Sequence, residues 1–251
     1  MTSMIDLNAD LGEDEYPAGI ARDVDIMDIV SSCNIACGGH AGSPDTMRRM
    51  LSAAKARSIA PGAHPSYPDR AGFGRQTMDI SPENLEITLT RQLHEIAAIA
   101  AEVDIMLTHI KPHGALYNDA QDDPILSTLL VDIAARENLA LVGMPGSLIQ
   151  KKSVEQDIAF ISEAFIDRRY TDNGRLVPRN QADAVITDED DRISQGICLA
   201  QGTAFAAQSG NSLILKAQSL CLHSDSDGAL GTAKRMRLAL ENAGIVIGPA
   251  E

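Results

Sequence analysis

Short apolar runs alternate with stretches of helical periodicity along the whole chain, and that alternation constrains the fold more than any other feature. Residues 4–7, 59–63, 105–110, 139–144, 158–161 and 220–222 read as buried strands, and a further strand is expected over Ser32–Ala36. Two helices announce their starts with Ser-Pro, at Ser43-Pro44 and Ser81-Pro82. Serine accepts the orphan N–H bonds of a first turn, and proline at the first helical position sacrifices no hydrogen bond. After Ser81, Leu85, Leu89, Leu93, Ile96, Ala97 and Ala100 recur at helical spacing and predict one apolar stripe for packing on a sheet. Further helices are expected over Pro124–Glu137, 191–207 and 229–243, with the acidic run Thr187–Asp191 as a first turn that complements the dipole.

About seven β-then-α units follow, the pattern of a parallel sheet covered by helices. The first strand runs into DLNADLGED rather than the G-x-G-x-x-G of a dinucleotide fold. No low-complexity linker interrupts the chain, so residues 1–251 are read as one domain, a single closed or nearly closed β/α barrel of the α/β class.

In such a barrel the strand C-termini carry the chemistry, because the βα loops converge there. The polar residues obey this asymmetry. Asn8, Asp10 and Glu13 follow the first strand; Asn34, Cys37 and His40 the second; His64, Tyr67 and Arg75 the third. Lys111, His113 and Tyr117 follow the fourth, Glu163 and Arg168 a later one, and His223 and Asp225 the last. The pattern predicts an enzyme. Asp10, His40, His64, Lys111, His113 and Asp225 are the candidate catalytic groups; Asn8, Asn34, Tyr67, Arg75, Tyr117, Glu163, Arg168 and His223 are candidate substrate contacts. His109 lies deeper in its strand and is expected to bond within the core, while mid-helix His94 is read as a surface or packing residue. Cys37 reads more simply as a small buried residue than as a nucleophile, and Cys33, Cys198 and Cys221 as packing.

A net charge of -14 excludes nucleic acid and anionic membrane as partners, since the long-range force has the wrong sign. A small anion can still be held by local cations. Four sparse cysteines, the lack of a basic n-region and the lack of a long apolar run predict a soluble cytoplasmic protein. No G-x₄-G-K-[ST], H-E-x-x-H or G-x-S-x-G is present.

The blocks DLNADLGE (6–13), SSCNIACGGHAGSP (31–44), GAHPSYPDRAGFGR (62–75), KPHGALYN (111–118), EAFIDRRYTDNGRLVPR (163–179) and CLHSD (221–225) resemble, in order, the family of the A subunits of prokaryotic ATP-dependent 5-oxoprolinase, also called lactam-utilisation proteins. The resemblance implies a β/α barrel like those of glycoside hydrolases and deacetylases. It also implies hydrolysis of 5-oxoproline (pyroglutamate) to L-glutamate coupled to ATP cleavage, with two partner subunits, B and C. Gly39, Ser43, Asp183 and Ser224 depart from the usual family pattern of Phe, Asp, Gly and Gly. Two rival readings stay open: a stand-alone metal-dependent deacetylase or amidohydrolase using a divalent ion at Asp10, His40, His64 and His113, and a non-catalytic substrate-binding subunit. The identity of any metal and the existence of a homo-oligomer are left open by the sequence.

Overall fold

The computed structural model describes residues 4–223 and 228–250. In chain order its elements are β1 (Met4–Leu11), α1 (Pro17–Met27), β2 (Ser32–Ala36), α2 (Pro44–Arg57), β3 (Ala60–His64), α3 (Pro82–Glu102), β4 (His109–Ile110), α4 (Gly114–Asp119), α5 (Pro124–Glu137), β5 (Ala140–Gly143), α6 (Leu148–Glu155), β6 (Phe160–Phe165), α7 (Glu189–Gln201), β7 (Phe205–Ala206), β8 (Ser212–Leu213), β9 (Ser219–His223), α8 (Ala229–Asn242) and β10 (Val246–Ile247). Strands β1 to β6 pair in parallel in sequence order, and β9 pairs with both β6 and β1, which closes the barrel with seven strands. β10 adds to the start of β1, and β7 and β8 form a small antiparallel ribbon outside the barrel.

The period of two in β1, MIDLNADL, decides which way each side chain faces. Ile5, Leu7, Ala9 and Leu11 join the apolar layer beneath the helices, so Asp6, Asn8 and Asp10 take the opposite, inner face. A barrel interior is ordinarily filled by branched aliphatic side chains. Here much of that volume is polar: Asp6, Asn8, Ser32, Asn34, His109, Lys111, Glu163 and Ser219 are all buried. Gly62 sits opposite His109 in the β3–β4 register, and a Cβ there would lie 2.1 Å from His109 Nε2. Only glycine lets that imidazole cross the barrel.

The helices form where their starts are capped. Ser43 accepts from Thr46 N, Ser81 from Asn84 N, Asp123 from Ile125 N and Leu126 N, and Asp188 from Asp191 N. The expected strand 32–36 and helix Pro124–Glu137 stand at those bounds. Other bounds are corrected. The helix expected over 191–207 stops at Gln201, where Gly202 turns left-handed at φ 61°, and Phe205–Ala206 pairs as a strand instead. The strand expected over 105–110 shrinks to His109–Ile110, since β3 offers ladder partners only at Gly62 and Ala63. The strand placed at 158–161 extends to Phe165. No described helix is long and apolar enough to cross a membrane.

Candidate active site

The lower tier of the site is a buried charge cluster. Lys111 at the end of β4 is 2% exposed, and its Nζ lies 2.8 Å from Asp10 Oδ1 and 2.7 Å from Glu163 Oε1. Burial works against the ammonium, but Asp10, Cys221 and Glu163 outweigh it and hold the Lys111 pKa well above the ordinary value. Burial pushes the Glu163 carboxyl up, against the opposing pull of Lys111. Asn8 Nδ2 donates to Glu163 Oε1 at 3.0 Å and to Ser219 Oγ at 2.7 Å. Asn34 Nδ2 donates to both Asn8 Oδ1 and Asp10 Oδ1, and its own carbonyl faces His109 Nε2 at 2.7 Å. Burial, then the Lys111 charge, drives the His109 pKa to about 3, so the ring is neutral. Asn8, Asn34 and Glu163 therefore sit beneath the mouth and brace the lysine.

The upper tier gathers three histidines and Glu13. His40 Nε2 lies 3.0 Å from Glu13 Oε1, His113 Nδ1 3.3 Å from the same oxygen, and His113 Nδ1 3.0 Å from His64 Nε2. Asp10 Oδ2 approaches His64 Nε2 at 3.5 Å, which joins the two tiers. The outer nitrogens are held by main chain: His64 Nδ1 by Lys111 O at 2.7 Å and His113 Nε2 by Phe73 O at 3.0 Å. Burial, then neighbouring histidines, lowers the pKa of both His40 and His113 well below the ordinary value. These four residues form a cluster with the donor set and compactness of a metal centre.

Loop geometry delivers them. Gly12, at φ 74°, turns the chain after β1 so that Glu13 returns to the mouth, and its N–H is held by Asp23 Oδ2 at 2.8 Å. Gly114, at φ 59°, lies against the Gly74 carbonyl, which a Cβ would approach to 2.4 Å, so the loops after β3 and β4 pack closely.

The two tiers open into a cleft of about 820 Å³ whose floor includes Asp10, Glu13, His64, Lys111 and His113. Its wall carries Arg75, Arg168, Arg175 and Arg179. Burial and then Arg179 push the Arg168 pKa down to about 10, against the opposing pull of Asp167, with a smaller push from Arg75. Arg168 is held by the carbonyls of Val177 and Ala184, and Arg75 rests over the Phe73 ring at 4.8 Å. Arg175 pairs with Asp122 through two bonds, at 2.7 and 2.8 Å. The wall favours an anion.

Of the expected site residues, Asp10, His64, Arg75, Lys111, His113, Tyr117 and Arg168 line the cleft, and His40 stands behind Glu13. Tyr67 is buried and reaches the cleft indirectly, through a 3.1 Å bond to Asp119. Asp225 and Ser224 lie outside the described residues, as does the side chain of His223. Cys37 is buried with its thiol pushed to about 12 by burial, and it accepts from His64 N. Glu13, Arg175 and Arg179 were not among the expected site residues, and Cys221, assigned to packing, contacts Lys111 Nζ at 3.1 Å. Only the strand-end position of Glu13 pointed to it. Two departures from the family pattern have plain reasons here. Ser43 caps α2 as an aspartate can, and Asp183 holds φ 58°, where glycine is at ease.

A sequence profile described as the LamB/YcsF family matches residues 5–251. The A subunit of 5-oxoprolinase from Bordetella pertussis is 40% identical over 250 residues, covering 98% of this chain and 99% of that relative. The crystal structure of a lactam utilization protein from Thermus thermophilus superposes with a TM-score of 0.88 at 33% identity, covering 98% of this chain and 99% of that one. A family 4 carbohydrate esterase from Streptomyces lividans shares the fold alone, at TM-score 0.53 and 11% identity, covering 98% of this chain and 92% of that one.

Proposed function

The chain belongs to the LamB/YcsF family, and from that premise we propose that it is the ring-opening component of an ATP-dependent 5-oxoprolinase, which converts 5-oxoproline to L-glutamate with two further subunits, B and C. Relatives named as one lettered subunit of 5-oxoprolinase support a multi-subunit enzyme. The observation that carries the reading is the cleft itself, which sets an arginine wall beside a floor of histidines and carboxylates. 5-Oxoproline has matching parts: one carboxylate for the guanidinium groups and one lactam bond for the floor.

Ring opening needs a base for the attacking water and an acid for the departing nitrogen. His113 or His64 is one partner and Asp10 the other. Asp10 is held by Lys111 and Asn34 through Oδ1, so Oδ2 stays aimed toward His64. Lys111, enclosed by two carboxylates, fixes Asp10 rather than seeking the substrate carboxylate; Arg168, with Arg75 and Arg179, takes that role. A divalent ion at the histidine cluster would polarise the lactam carbonyl as a Lewis acid; His64 and His113 would then serve as its ligands, and the acid/base work would fall to Asp10. In this reading ATP acts through the complex assembled with subunits B and C. The reduced thiols suit a cytoplasmic enzyme.

The test is ATP-dependent formation of glutamate from 5-oxoproline by this chain together with subunits B and C. Asp10→Asn keeps the shape and should depress turnover at least about a hundredfold with assembly intact. Unchanged turnover in that variant would place the base elsewhere, and unchanged turnover in a separate His113 variant as well, with assembly intact, would support a non-catalytic component that only binds substrate. The second reading, a stand-alone metal-dependent deacetylase or amidohydrolase, draws on the cluster of Glu13, His40, His64 and His113. Hydrolysis of N-acetyl substrates by the isolated chain, without ATP, would select it.

A further inference from the structure

Among the described residues, counting protons on His64 and His113 leaves two imidazole lone pairs facing each other with no proton between them. His64 Nδ1 faces the carbonyl of Lys111 at 2.7 Å, and His113 Nε2 faces the carbonyl of Phe73 at 3.0 Å. A carbonyl only accepts, so both outer nitrogens must carry the proton. A neutral imidazole has one N–H, so His64 Nε2 and His113 Nδ1 are both bare. Yet these two lone pairs face each other at 3.0 Å, with Glu13 Oε1 at 3.9 and 3.3 Å and Asp10 Oδ2 at 3.5 Å from His64 Nε2. Two lone pairs and the Glu13 carboxylate oxygen converging on one point repel unless a cation occupies it; Asp10 Oδ2 approaches His64 but stands outside the mutually close donors.

The geometry points to a divalent transition-metal site of the zinc class, formed by three protein ligands: Glu13 Oε1, His64 Nε2 and His113 Nδ1. Bonds of about 2.0–2.1 Å in a tetrahedron put ligand atoms roughly 3.3–3.4 Å apart. The three donor separations of 3.0, 3.3 and 3.9 Å bracket that value. The His64 and His113 rings stand at 90°, so their planes intersect and both lone pairs can meet one ion.

His40 belongs outside the ligand set, although its Nε2 lies near the other donors. Its ring is stacked on that of His113, with centroids 3.6 Å apart and planes 3° from parallel. An imidazole binds a metal in its own plane, and one ion cannot lie in two parallel planes that far apart. His40 instead donates from Nε2 to Glu13 Oε1 at 3.0 Å and orients that ligand. Three protein ligands leave the fourth position facing the cleft, the arrangement of a catalytic rather than a structural zinc. This inference stands on the donors alone and does not depend on which bond the chain hydrolyses.

The test is a titration of chelator-treated, dialysed chain with Co²⁺, read by its visible ligand-field bands, followed by displacement with Zn²⁺. One ion per chain is expected, with the intense bands of a four-coordinate centre. His64→Gln, His113→Gln and Glu13→Gln should each abolish or shift those bands. His40→Asn should keep the spectrum and lower affinity about 10–100-fold, as loss of an outer partner does. Circular dichroism of each variant confirms that it is folded. Failure of the wild-type chain to bind one ion overturns the proposal, and the cation between the two nitrogens is then a proton shared by His64 and His113. A changed spectrum in His40→Asn with an unchanged one in His113→Gln overturns the ligand assignment. Neither readout uses substrate, ATP or partner subunits, so failure of the ring-opening reading leaves this result untouched.

Discussion

Lys111→Met takes away the ammonium held between Asp10 Oδ1 at 2.8 Å and Glu163 Oε1 at 2.7 Å. Methionine fills nearly the same volume, so the loss is electrostatic. Removing one partner of a buried ion pair strands the other, at a cost of about 3–5 kcal/mol. For a chain of this size each kcal/mol lowers Tm by roughly 2–4 °C, so the fall should be roughly 6–20 °C at neutral pH. The pH dependence separates this cause from a packing defect. In the wild type the Lys111 pKa is raised, so its contribution is complete below the ordinary lysine pKa and fades only as pH climbs through the folded value. In the variant the Glu163 carboxyl, already pushed up by burial, loses the pull of Lys111 and rises further. The folded state then keeps a proton that the unfolded chain gives up near ~4.3, so stability falls as pH rises above that value. Urea denaturation followed by circular dichroism should find a penalty largest near pH 8 and much reduced near pH 5. Adding Glu163→Gln to Lys111→Met should recover about 0.5–3 kcal/mol as a coupling energy. A penalty under 1 kcal/mol at pH 8, flat with pH, would refute the buried-triad argument.

Gly62→Ala should displace the His109 ring, because the new Cβ falls 2.1 Å from Nε2, and cost about 1–3 kcal/mol in urea denaturation. Asp183→Gly should leave stability within ~1 kcal/mol, while Asp183→Val should lose more, since φ 58° suits Gly and tolerates Asp but crowds a β-branched side chain. Arg168→Met should raise KM for 5-oxoproline roughly 10–150-fold in the assembled enzyme with little change in kcat, the worth of one charge-assisted hydrogen bond of about 1.5–3 kcal/mol. An unchanged KM would move the carboxylate contact to another cation of the cleft.

What the sequence disclosed was local. Ser43-Pro44 and Ser81-Pro82 mark their helices because cap and first turn adjoin in the chain. The Ser32–Ala36 strand and the polar strand ends were legible for the same reason. What it hid depends on partners far apart. Asn8 and Asn34 carry the right period to face inward, but that they brace Lys111 follows from bonds spanning 155 residues to Glu163 and 24 to Asp10. Glu13 was legible only as a strand-end acid and not as a site residue, because nothing in DLGED reveals that Gly12 adopts φ 74° and folds it back onto His40. Arg175 and Arg179 sit in irregular chain after β6, held by long-range bonds such as Arg175 with Asp122 rather than by a repeating element, so no periodicity could aim them. The short helices α4 and α6 carry too few apolar repeats to stand out, and α1 opens without a side-chain cap to mark its start.

Asp10 is where the two tiers of the site become one device. Its Oδ1 is taken by Lys111 and Asn34, and its Oδ2 points at His64. A carboxylate free to rotate would spend its charge on the nearest cation; this one is fixed because Lys111 is itself anchored from the far side by Glu163, and Asn34 by His109. The polar interior thus replaces the usual aliphatic filling for a reason that belongs to the mouth. Aliphatic layers would fill the barrel equally well, but they could not hold a carboxylate at a set angle to an imidazole. The orienting force runs through hydrogen bonds and ion pairs deep in the barrel. Changes at Glu163 or Asn34, neither of which lines the cleft, should therefore act on chemistry through Asp10, lowering kcat while leaving the anion-binding KM near its original value.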